Sequence, residues 1–256
     1  MYRPTVRFTL GEAAATTPYQ SKVGGKPYLP KNAEYPYHAE KKHPLTLVAQ
    51  INFAEVPLLP GFPERGILQV FVDGLDYGLG YDFENLSEQA GWRIMYYPEL
   101  LPESELQTDF SAYQATDSEC LPFSGEFPLI FQAASEEEED ADFNKSQGHK
   151  IGGSPIFLQG DPFLECDEDA DFDDPATITC SDWRKYILLL QLDTDINEKD
   201  RYTGKLMWGD SGVANFFITP EDLAKRDFSR VAFVFDCCYS GLNLNQDKAT
   251  KPQTVQ

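Results

Sequence analysis

Two lysine-containing glycine turns are the segments of this sequence whose residue types and spacing come nearest to a binding loop. The first is KVGGKPYL at Lys22–Leu29, and the second is KIGGSPIF at Lys150–Phe157. A lysine beside paired glycines is suited to an anion, but neither segment matches G-x-x-x-x-G-K-[ST] or G-x-G-x-x-G. A proline also follows where a phosphate-binding helix would begin. The pattern therefore favours a structural turn and leaves an anion site as the alternative.

The acidic segment DTDINEKDRYTG resembles the start of a calcium-binding loop. Asp193, Asp195 and Asn197 have the spacing of the first EF-hand ligands. The match then fails, because Glu198 stands where the sharp turn needs glycine and Gly204 stands where the bidentate glutamate belongs. A solvated acidic face is the favoured interpretation, with calcium binding as the alternative. We predict no resident metal and no cofactor.

Cysteine and histidine usage gives no strong signal for catalysis or zinc. The three histidines show no zinc-ligand spacing, and the five cysteines are an odd number with no C-x₂-C pair. Reduced thiols and a cytoplasmic location follow as expectations. Nucleophilic catalysis would need Cys237 or Cys238 activated by His149. Since FVFDCC predicts a buried strand, we expect these thiols to act as small apolar side chains. Enzyme activity is left open, with no activity as the favoured interpretation.

Three sequence blocks occur twice along the chain, in the same order. Repeats of this kind predict an internal duplication. The paired blocks are KVGGKPYL with KIGGSPIF, LTLVAQIN at Leu45–Asn52 with YILLLQLD at Tyr186–Asp193, and GILQVFVD at Gly66–Asp73 with GVANFFIT at Gly212–Thr219.

Most of the repeated blocks have the composition of strands. Apolar runs with one amide side chain predict buried strands, whereas helix signals are few. A helix is predicted after Thr219, and segments after Pro102 and from Gln132 into the glutamate run could form two more. We therefore expect a β-rich α+β fold with two duplicated, strand-rich halves related by approximate two-fold symmetry. The chain would be one domain over residues 1–256, with repeats at about 20–130 and 148–240.

Net charge limits the classes of partner. The chain has 256 residues, 41% of them hydrophobic, and 42 acidic against 21 basic residues give a net charge of −21. Such a chain repels phosphate backbones and anionic lipid, so we expect neither nucleic acid nor membrane as a partner. Another protein, with a basic surface, fits better, and the oligomeric state is left open. An acidic insertion near 135–174 carries 14 acids and two lysines, and we expect it to be exposed.

The predicted binding site lies where the two halves would meet. Gln50 and Gln191 occupy equivalent places in apolar strands, where they either bond to neighbouring backbone or form a matched pair of binding groups. Asp210 in WGDSG caps a tight turn or lines a pocket. The residues that we place at this site are Lys22, Gly24, Gly25, Gln50, Lys150, Gly152, Gly153, Gln191, Trp208, Gly209 and Asp210.

The repeated blocks also carry a family resemblance. The GG-x-P turn at Gly24–Pro27, AQINFAEVP, GILQVFVD, HKIGGSP, LLLQLDTD, MWGDSGVANFFI and FVFDCC together resemble the YwqG-like family of bacterial proteins. The resemblance covers about residues 20–240 and implies a cytoplasmic domain of unknown function with no catalytic residues to transfer. The predicted function is a non-catalytic protein-interaction or regulatory module, with an immunity-type protein as one form. The alternatives are a small-ligand-binding protein with a pocket between the halves and a carboxylate-based hydrolase.

Overall fold

The computed structural model describes residues 2–12, 17–113, 120–137, 147–166, 180–195 and 204–237. These residues form twelve strands and one α-helix, α1 (Pro220–Lys225). The strands are β1 (Tyr2–Leu10), β2 (Lys22–Gly24), β3 (Thr46–Asn52), β4 (Ile67–Val72), β5 (Trp92–Tyr97), β6 (Glu126–Glu137), β7 (His149–Gly152), β8 (Glu165–Cys166), β9 (Cys180–Ser181), β10 (Ile187–Asp193), β11 (Val213–Ile218) and β12 (Ala232–Asp236).

Ten of these strands form one continuous sheet that curves into a half-barrel. The strand order is β12-β11-β10-β7-β1-β6-β2-β3-β4-β5, and every neighbouring pair is antiparallel. The central pair is β1 with β6, whose register runs from Tyr2 opposite Glu137 to Leu10 opposite Leu129. Strands β8 and β9 form a separate two-stranded ribbon.

Strand β1 shows why the sequence forms this sheet. Val6, Phe8 and Leu10 are buried, whereas Arg7 is half-buried and Thr9 is exposed. This alternation places apolar side chains on the concave face of the sheet and polar ones on its outer face.

The core on the concave face joins both ends of the sheet. Trp92 of β5 contacts Phe233 of β12 with ring centroids 5.4 Å apart. Phe233 in turn stacks on Phe216 of β11 at 4.8 Å. Because these rings belong to one buried cluster with residues of β1 and β3, the described sheet has one main core rather than two.

The outer face of the sheet is covered at both flanks and open in the middle. Tyr28, Ile67 and Leu106 form a small cluster over the β3–β4 flank, and Trp183 with Phe217 belongs to another over the β10–β11 flank. Between the flanks, Ile130 of β6 is 60% exposed.

The predicted α+β fold with two duplicated halves is wrong. The described residues form a nearly all-β half-barrel in which one sheet runs through the whole molecule. The predicted helix after Thr219 is present as α1, and the Thr219 hydroxyl accepts a bond from the Asp222 N–H. The segment from Gln132 lies instead in β6, because its long-range ladder with β1 outweighs the helix preference of glutamate.

The segment after Pro102 forms two short 3₁₀ turns, at Glu103–Glu105 and Ser111–Tyr113, instead of a helix. Since Leu106 is extended and forms a bridge with Pro30, the segment cannot continue as a helix between the two turns.

The expected exposure of the acidic insertion fails at its start. Glu136 lies in β6 and is 8% exposed. The remaining acidic runs, 138–142 and 167–174, lie outside the described residues, as do Asn197 and Cys238. In the part of the chain that the structure describes, no helix is long and apolar enough to cross a membrane.

Candidate functional site

The two predicted glycine turns share their local geometry. Gly24 and Gly25 have φ of 70° and 72°, and Gly152 and Gly153 have φ of 71° and 78°. Both turns thus use the left-handed region that favours glycine. They follow β2 and β7, which lie on either side of the β1–β6 pair.

The second glycine of each turn makes room for a glutamate. A Cβ atom on Gly25 would lie 2.3 Å from Oε1 of Glu126, and one on Gly153 would lie 2.5 Å from Oε2 of Glu136. A side chain at either position would therefore require the glutamate to move. The glycines therefore allow each carboxylate to approach the turn, a packing reason beyond backbone conformation.

Each glutamate pairs with the lysine that starts the turn. Lys22 Nζ lies 2.8 Å from Oε1 of Glu126, and Lys150 Nζ lies 2.9 Å from Oε1 of Glu136. The Lys22 and Lys150 side chains are 3% and 0% exposed. Both lysines are thus bound to acids within the protein.

The ion pair of Lys150 with Glu136 is closed to further hydrogen-bond donors. The carboxylate also accepts bonds from the Arg7 guanidinium at 2.8 Å and from the Ser154 N–H at 2.8 Å. Burial lowers the pKa of Lys150 to about 8, although Glu136 opposes this shift. With three donors around it and the lysine inaccessible, this carboxylate has a structural role.

The ion pair of Lys22 with Glu126 is open to further hydrogen-bond donors. The Glu126 side chain is 26% exposed, and within the described chain the Lys22 ammonium is the one hydrogen-bond donor to it. The pair lies on the wall of a cavity of about 530 Å³. We take this cavity as the candidate functional site.

The other walls of the cavity combine apolar and charged groups. Apolar surface comes from Pro18, Pro27, Leu106 and Phe110. The remaining described residues that line it are Thr17, Lys22, Gly25, Lys26, Glu103, Gln107, Thr108 and Glu126.

Charge at the cavity differs from charge on the whole molecule. Lys22 and Lys26 balance Glu103 and Glu126, so the described lining is neutral in a chain whose net charge is −21. Because both signs are present side by side, the cavity suits a ligand that itself carries both charges.

The wall that contains Leu106 is fixed to the turn segment. The Gln107 N–H donates to the Leu29 carbonyl at 2.8 Å, and the Lys31 N–H donates to the Glu105 carbonyl at 2.9 Å. Leu106 is 2% exposed. The cavity is therefore formed by backbone that is held in place without a ligand.

Gln50 lies behind this cavity and serves as a backbone clamp. It is fully buried opposite Lys22 in the sheet. Its Oε1 accepts bonds from the Tyr28 N–H at 2.7 Å and from Gln69 Nε2 at 2.8 Å, and its Nε2 donates to the Pro18 and Gln20 carbonyls. These contacts hold both chain segments that flank Lys22 on the outer face of the sheet.

Gln191 makes the corresponding contacts at the second turn. Its Oε1 accepts from the Ile156 N–H at 3.0 Å, and its Nε2 donates to the Gly148 carbonyl at 2.8 Å. Asn215 Nδ2 donates to the Ile156 carbonyl at 2.7 Å. The contacts of these buried amides at the second turn are thus bonds to neighbouring backbone. A role for them in binding stays a prediction.

The WGDSG segment is part of neither lysine turn, and its Gly209 lines a different cavity, of about 690 Å³, together with Phe123 and Gly125, which lie against Gly24. Trp208 is fully buried in the main core, and the Gly212 N–H donates to its carbonyl across a tight turn. Gly209 has φ of 51°, and Asp210 is exposed in that turn. The eleven predicted site residues therefore occupy three places, and Lys22 and Gly25 are the two that line the candidate cavity.

Sequence reasoning missed Glu126, Lys26, Leu106 and Phe110. Lys26 and Pro27 directly follow the predicted turn, so their place in the motif could have pointed to them. Glu126 comes from β6, and only the register that sets Lys22 opposite Pro128 brings it near Lys22.

The described residues hold no cluster of three or more His, Cys, Asp or Glu side chains arranged for a metal ion. Asp193, the first residue of the calcium-like segment, accepts bonds from the Gly148 and Thr194 N–H groups at 2.7 and 2.8 Å. It is thus committed to local backbone.

Two histidines, His38 and His43, and Lys41 surround a buried carboxylate, that of Asp73. His43 Nε2 lies 2.8 Å from Asp73 Oδ1, His38 Nε2 lies 3.7 Å from Oδ2, and Lys41 Nζ lies 2.9 Å from Oδ2. Burial favours a raised pKa for Asp73, but bonds from Lys41, the Leu75 N–H and His43 hold this pKa below its usual value. The cluster anchors the segment of residues 38–43 to the end of β4.

Comparison with known proteins gives a family without an assigned activity. No curated protein matches the chain. A family model described as "Domain of unknown function (DUF1963)" matches residues 21–237, which include both glycine turns, Glu126 and the strands β2–β12. The chain therefore belongs to this family of domains of unknown function.

Proposed function

We propose that the protein binds a small zwitterion with an apolar body, such as an apolar amino acid, in the cavity beside Lys22 and Glu126. The observation that carries this proposal is the incompletely paired Glu126 carboxylate. At the second turn the equivalent carboxylate has three donors, whereas Glu126 has one and faces open volume.

The ammonium group of the ligand would bind Glu126. Oε1 of Glu126 accepts a hydrogen bond from Lys22, and Oε2 can accept one from a further donor. A carboxylate that is partly withdrawn from water gains from a second charged donor, since charge-assisted hydrogen bonds are stronger than neutral ones.

The ligand's carboxylate and apolar body would contact the remaining walls. Lys26 is exposed at the rim and supplies a cation that, unlike Lys22, is not buried in a pair. Leu106 and Phe110 supply apolar surface. A cavity of about 530 Å³ lies within the range of small-molecule sites and has room for an amino acid or a dipeptide.

We include three expectations from the sequence in this proposal. They are membership of the YwqG-like family, a bacterial and cytoplasmic setting, and action without a cofactor. A protein-interaction role with a basic partner, an immunity-type role and a carboxylate-based hydrolase stay predictions. The small-ligand role is preferred because a cavity with unsaturated charge is its specific observation.

Calorimetric titration with three related compounds tests the proposal. Leucine carries both charges, N-acetyl-leucine lacks the ammonium, and leucinamide lacks the carboxylate. We expect leucine to bind, leucinamide to bind more weakly, and N-acetyl-leucine to bind at least tenfold more weakly than leucine, because Glu126 would then face an uncharged amide.

Two variants locate the site. Glu126→Gln keeps the side-chain shape and should reduce leucine affinity at least tenfold. Glu99→Gln, at an exposed glutamate paired with Arg65 outside the cavity, should leave it unchanged. The proposal fails if N-acetyl-leucine binds as tightly as leucine, if leucine does not bind, or if the two variants behave alike.

A further inference from the structure

The free edge of β5 forms a groove that is separate from the candidate cavity. Strand β5 ends the ten-stranded sheet and has β4 as its one strand partner. A cavity of about 580 Å³ lies along it, with residues 93–97 of β5 as one wall and residues 34–39 as the other. The lining thus consists mainly of two runs of consecutive residues, one on the strand and one on the loop segment.

Backbone groups of β5 point into the open edge. The Ile94 N–H donates to Oε1 of Gln89 at 3.0 Å and so points away from β4. Because hydrogen-bonding direction alternates along a strand, the N–H and C=O of Tyr96 also point outward. Within the described residues, neither outward group of Tyr96 has a backbone partner.

The opposite terminal strand differs. The Phe233 N–H of β12 donates to the Leu86 carbonyl at 2.8 Å. The Asp236 side chain at the end of β12 accepts bonds from the Leu158 and Gln159 N–H groups. The edge of β12 is thus already engaged with other segments, whereas that of β5 is open beyond Gln89.

The second wall of the groove is held in position by internal contacts. The Tyr35 hydroxyl donates to the Leu45 carbonyl at 2.9 Å, and the Ala39 N–H donates to the Ala90 carbonyl at 2.8 Å. His38 lies against the buried Asp73, as described above. The groove therefore exists before any partner binds.

Charge at the groove is locally positive. Lys42 and Arg93 line it with one exposed acid, Glu34, in a chain whose net charge is −21. The buried Nε of Arg93 has no hydrogen-bond partner among the described residues, while its NH2 group donates to the Gln89 carbonyl at 3.2 Å. That Nε is buried and lies out of reach of a partner, but the guanidinium forms no ion pair among the described residues, and its charge at the groove favours a carboxylate.

We propose that an extended acidic peptide segment of a partner protein adds to β5 as a further strand. Its backbone would bond to the Ile94 carbonyl and to the N–H and C=O of Tyr96, and one of its carboxylates would bind Arg93. Strand addition of this kind obtains affinity from main-chain bonds and specificity from side-chain contacts. Five residues of β5 span about 17 Å, which matches a short peptide strand.

Fluorescence anisotropy with synthetic peptides tests this inference on the full chain. The probe is a labelled octapeptide of alternating valine and glutamate. We expect saturable binding, at least tenfold weaker binding of the same peptide N-methylated at every second residue, and at least tenfold weaker binding of a valine–lysine octapeptide.

Two variants test whether the peptide binds at the groove. Arg93→Gln should weaken binding of the acidic peptide about tenfold, and Arg65→Gln, an exposed arginine outside the groove, should not change it. Equal binding of the N-methylated peptide overturns strand addition, and equal or tighter binding of the lysine peptide overturns the acidic partner. An absence of binding, or an unchanged affinity in a folded Arg93→Gln variant, overturns the site. Self-association without peptide that Arg93→Gln abolishes would assign the edge to a second copy of this chain instead.

Discussion

At the scale of single residues, the two turns show how one motif gives a closed and an open carboxylate. The sequence predicts both turns and both lysines, and paired glycines predict the left-handed backbone. It does not predict which acids the lysines bind, because Glu126 and Glu136 lie 104 and 14 residues away from Lys22 and Lys150. The two sites differ because Glu136 also accepts bonds from Arg7 on the neighbouring strand and from the Ser154 N–H.

The close approach of Glu136 to Gly153 gives a first prediction. Gly153→Ala should lower the free energy of unfolding by about 2–4 kcal/mol, because the new Cβ both strains a left-handed residue and displaces the carboxylate. Gly61→Ala is the matched control, since Gly61 has φ of 85° with no atom within 4 Å of the added Cβ. It should cost about 1 kcal/mol from backbone strain alone. Urea unfolding measures both, and equal losses would contradict the role of the glutamate.

Burial of His149 gives a second prediction. His149 stacks on Phe8 and accepts the Asp193 N–H at 3.0 Å, and burial lowers its pKa below 6.5, although Asp193 and Asp195 oppose this shift. The stability due to its neutral form is therefore complete above pH 6.5, and it is lost as pH falls through the lowered pKa.

His149→Asn removes this titration. Wild type should lose more stability than the variant between pH 7 and pH 5 in urea unfolding, since the other titrating groups are common to both proteins. Parallel losses of stability would show that His149 does not contribute to the acid sensitivity.

At the scale of elements, long-range pairing decides what local sequence leaves open. The signals at Thr219 and Pro220 predict α1 correctly because capping is a local interaction. The segment after Gln132 is predicted wrongly because its conformation depends on β1, more than 120 residues earlier. The buried amides Gln50 and Gln191 lie between these two cases. The sequence predicts the strands that contain them, but it does not predict the backbone groups to which their side chains bond.

The clamp at Gln50 gives a third prediction. Gln50→Met keeps the volume but leaves the Tyr28 N–H and the Pro18 and Gln20 carbonyls without their amide partner. The free energy of unfolding should fall by about 3 kcal/mol. Gln132→Met, at an exposed position on β6, should change it by less than about 0.5 kcal/mol. A small loss at Gln50 would mean that the turn segment does not depend on this clamp.

At the scale of the whole molecule, the expectation of two halves fails because the sheet and its core are continuous. Composition predicts a large core and an acidic surface, but it does not show that Trp92 and Phe233, from opposite ends of the sheet, contact each other. Strand content was predictable from the apolar blocks, whereas closure of the half-barrel depends on contacts that no single block contains.

The shared core gives a fourth prediction. Phe233→Ala should destabilise the protein by about 3–5 kcal/mol, as expected for a large buried ring. Since the described sheet has one main core, amide hydrogen exchange should speed up by similar factors in β3 and in β11. Faster exchange in β10–β12 with unchanged exchange in β3–β4 would show that the two ends unfold separately.

A crystal structure with saturating leucine would show whether the cavity beside Lys22 and Glu126 binds a small zwitterion. We expect the leucine ammonium to lie about 2.7–2.9 Å from the Glu126 carboxylate, with the isobutyl group against Leu106 and Phe110. Leucine bound elsewhere on the protein, or a cavity without it at saturation, would contradict the claim.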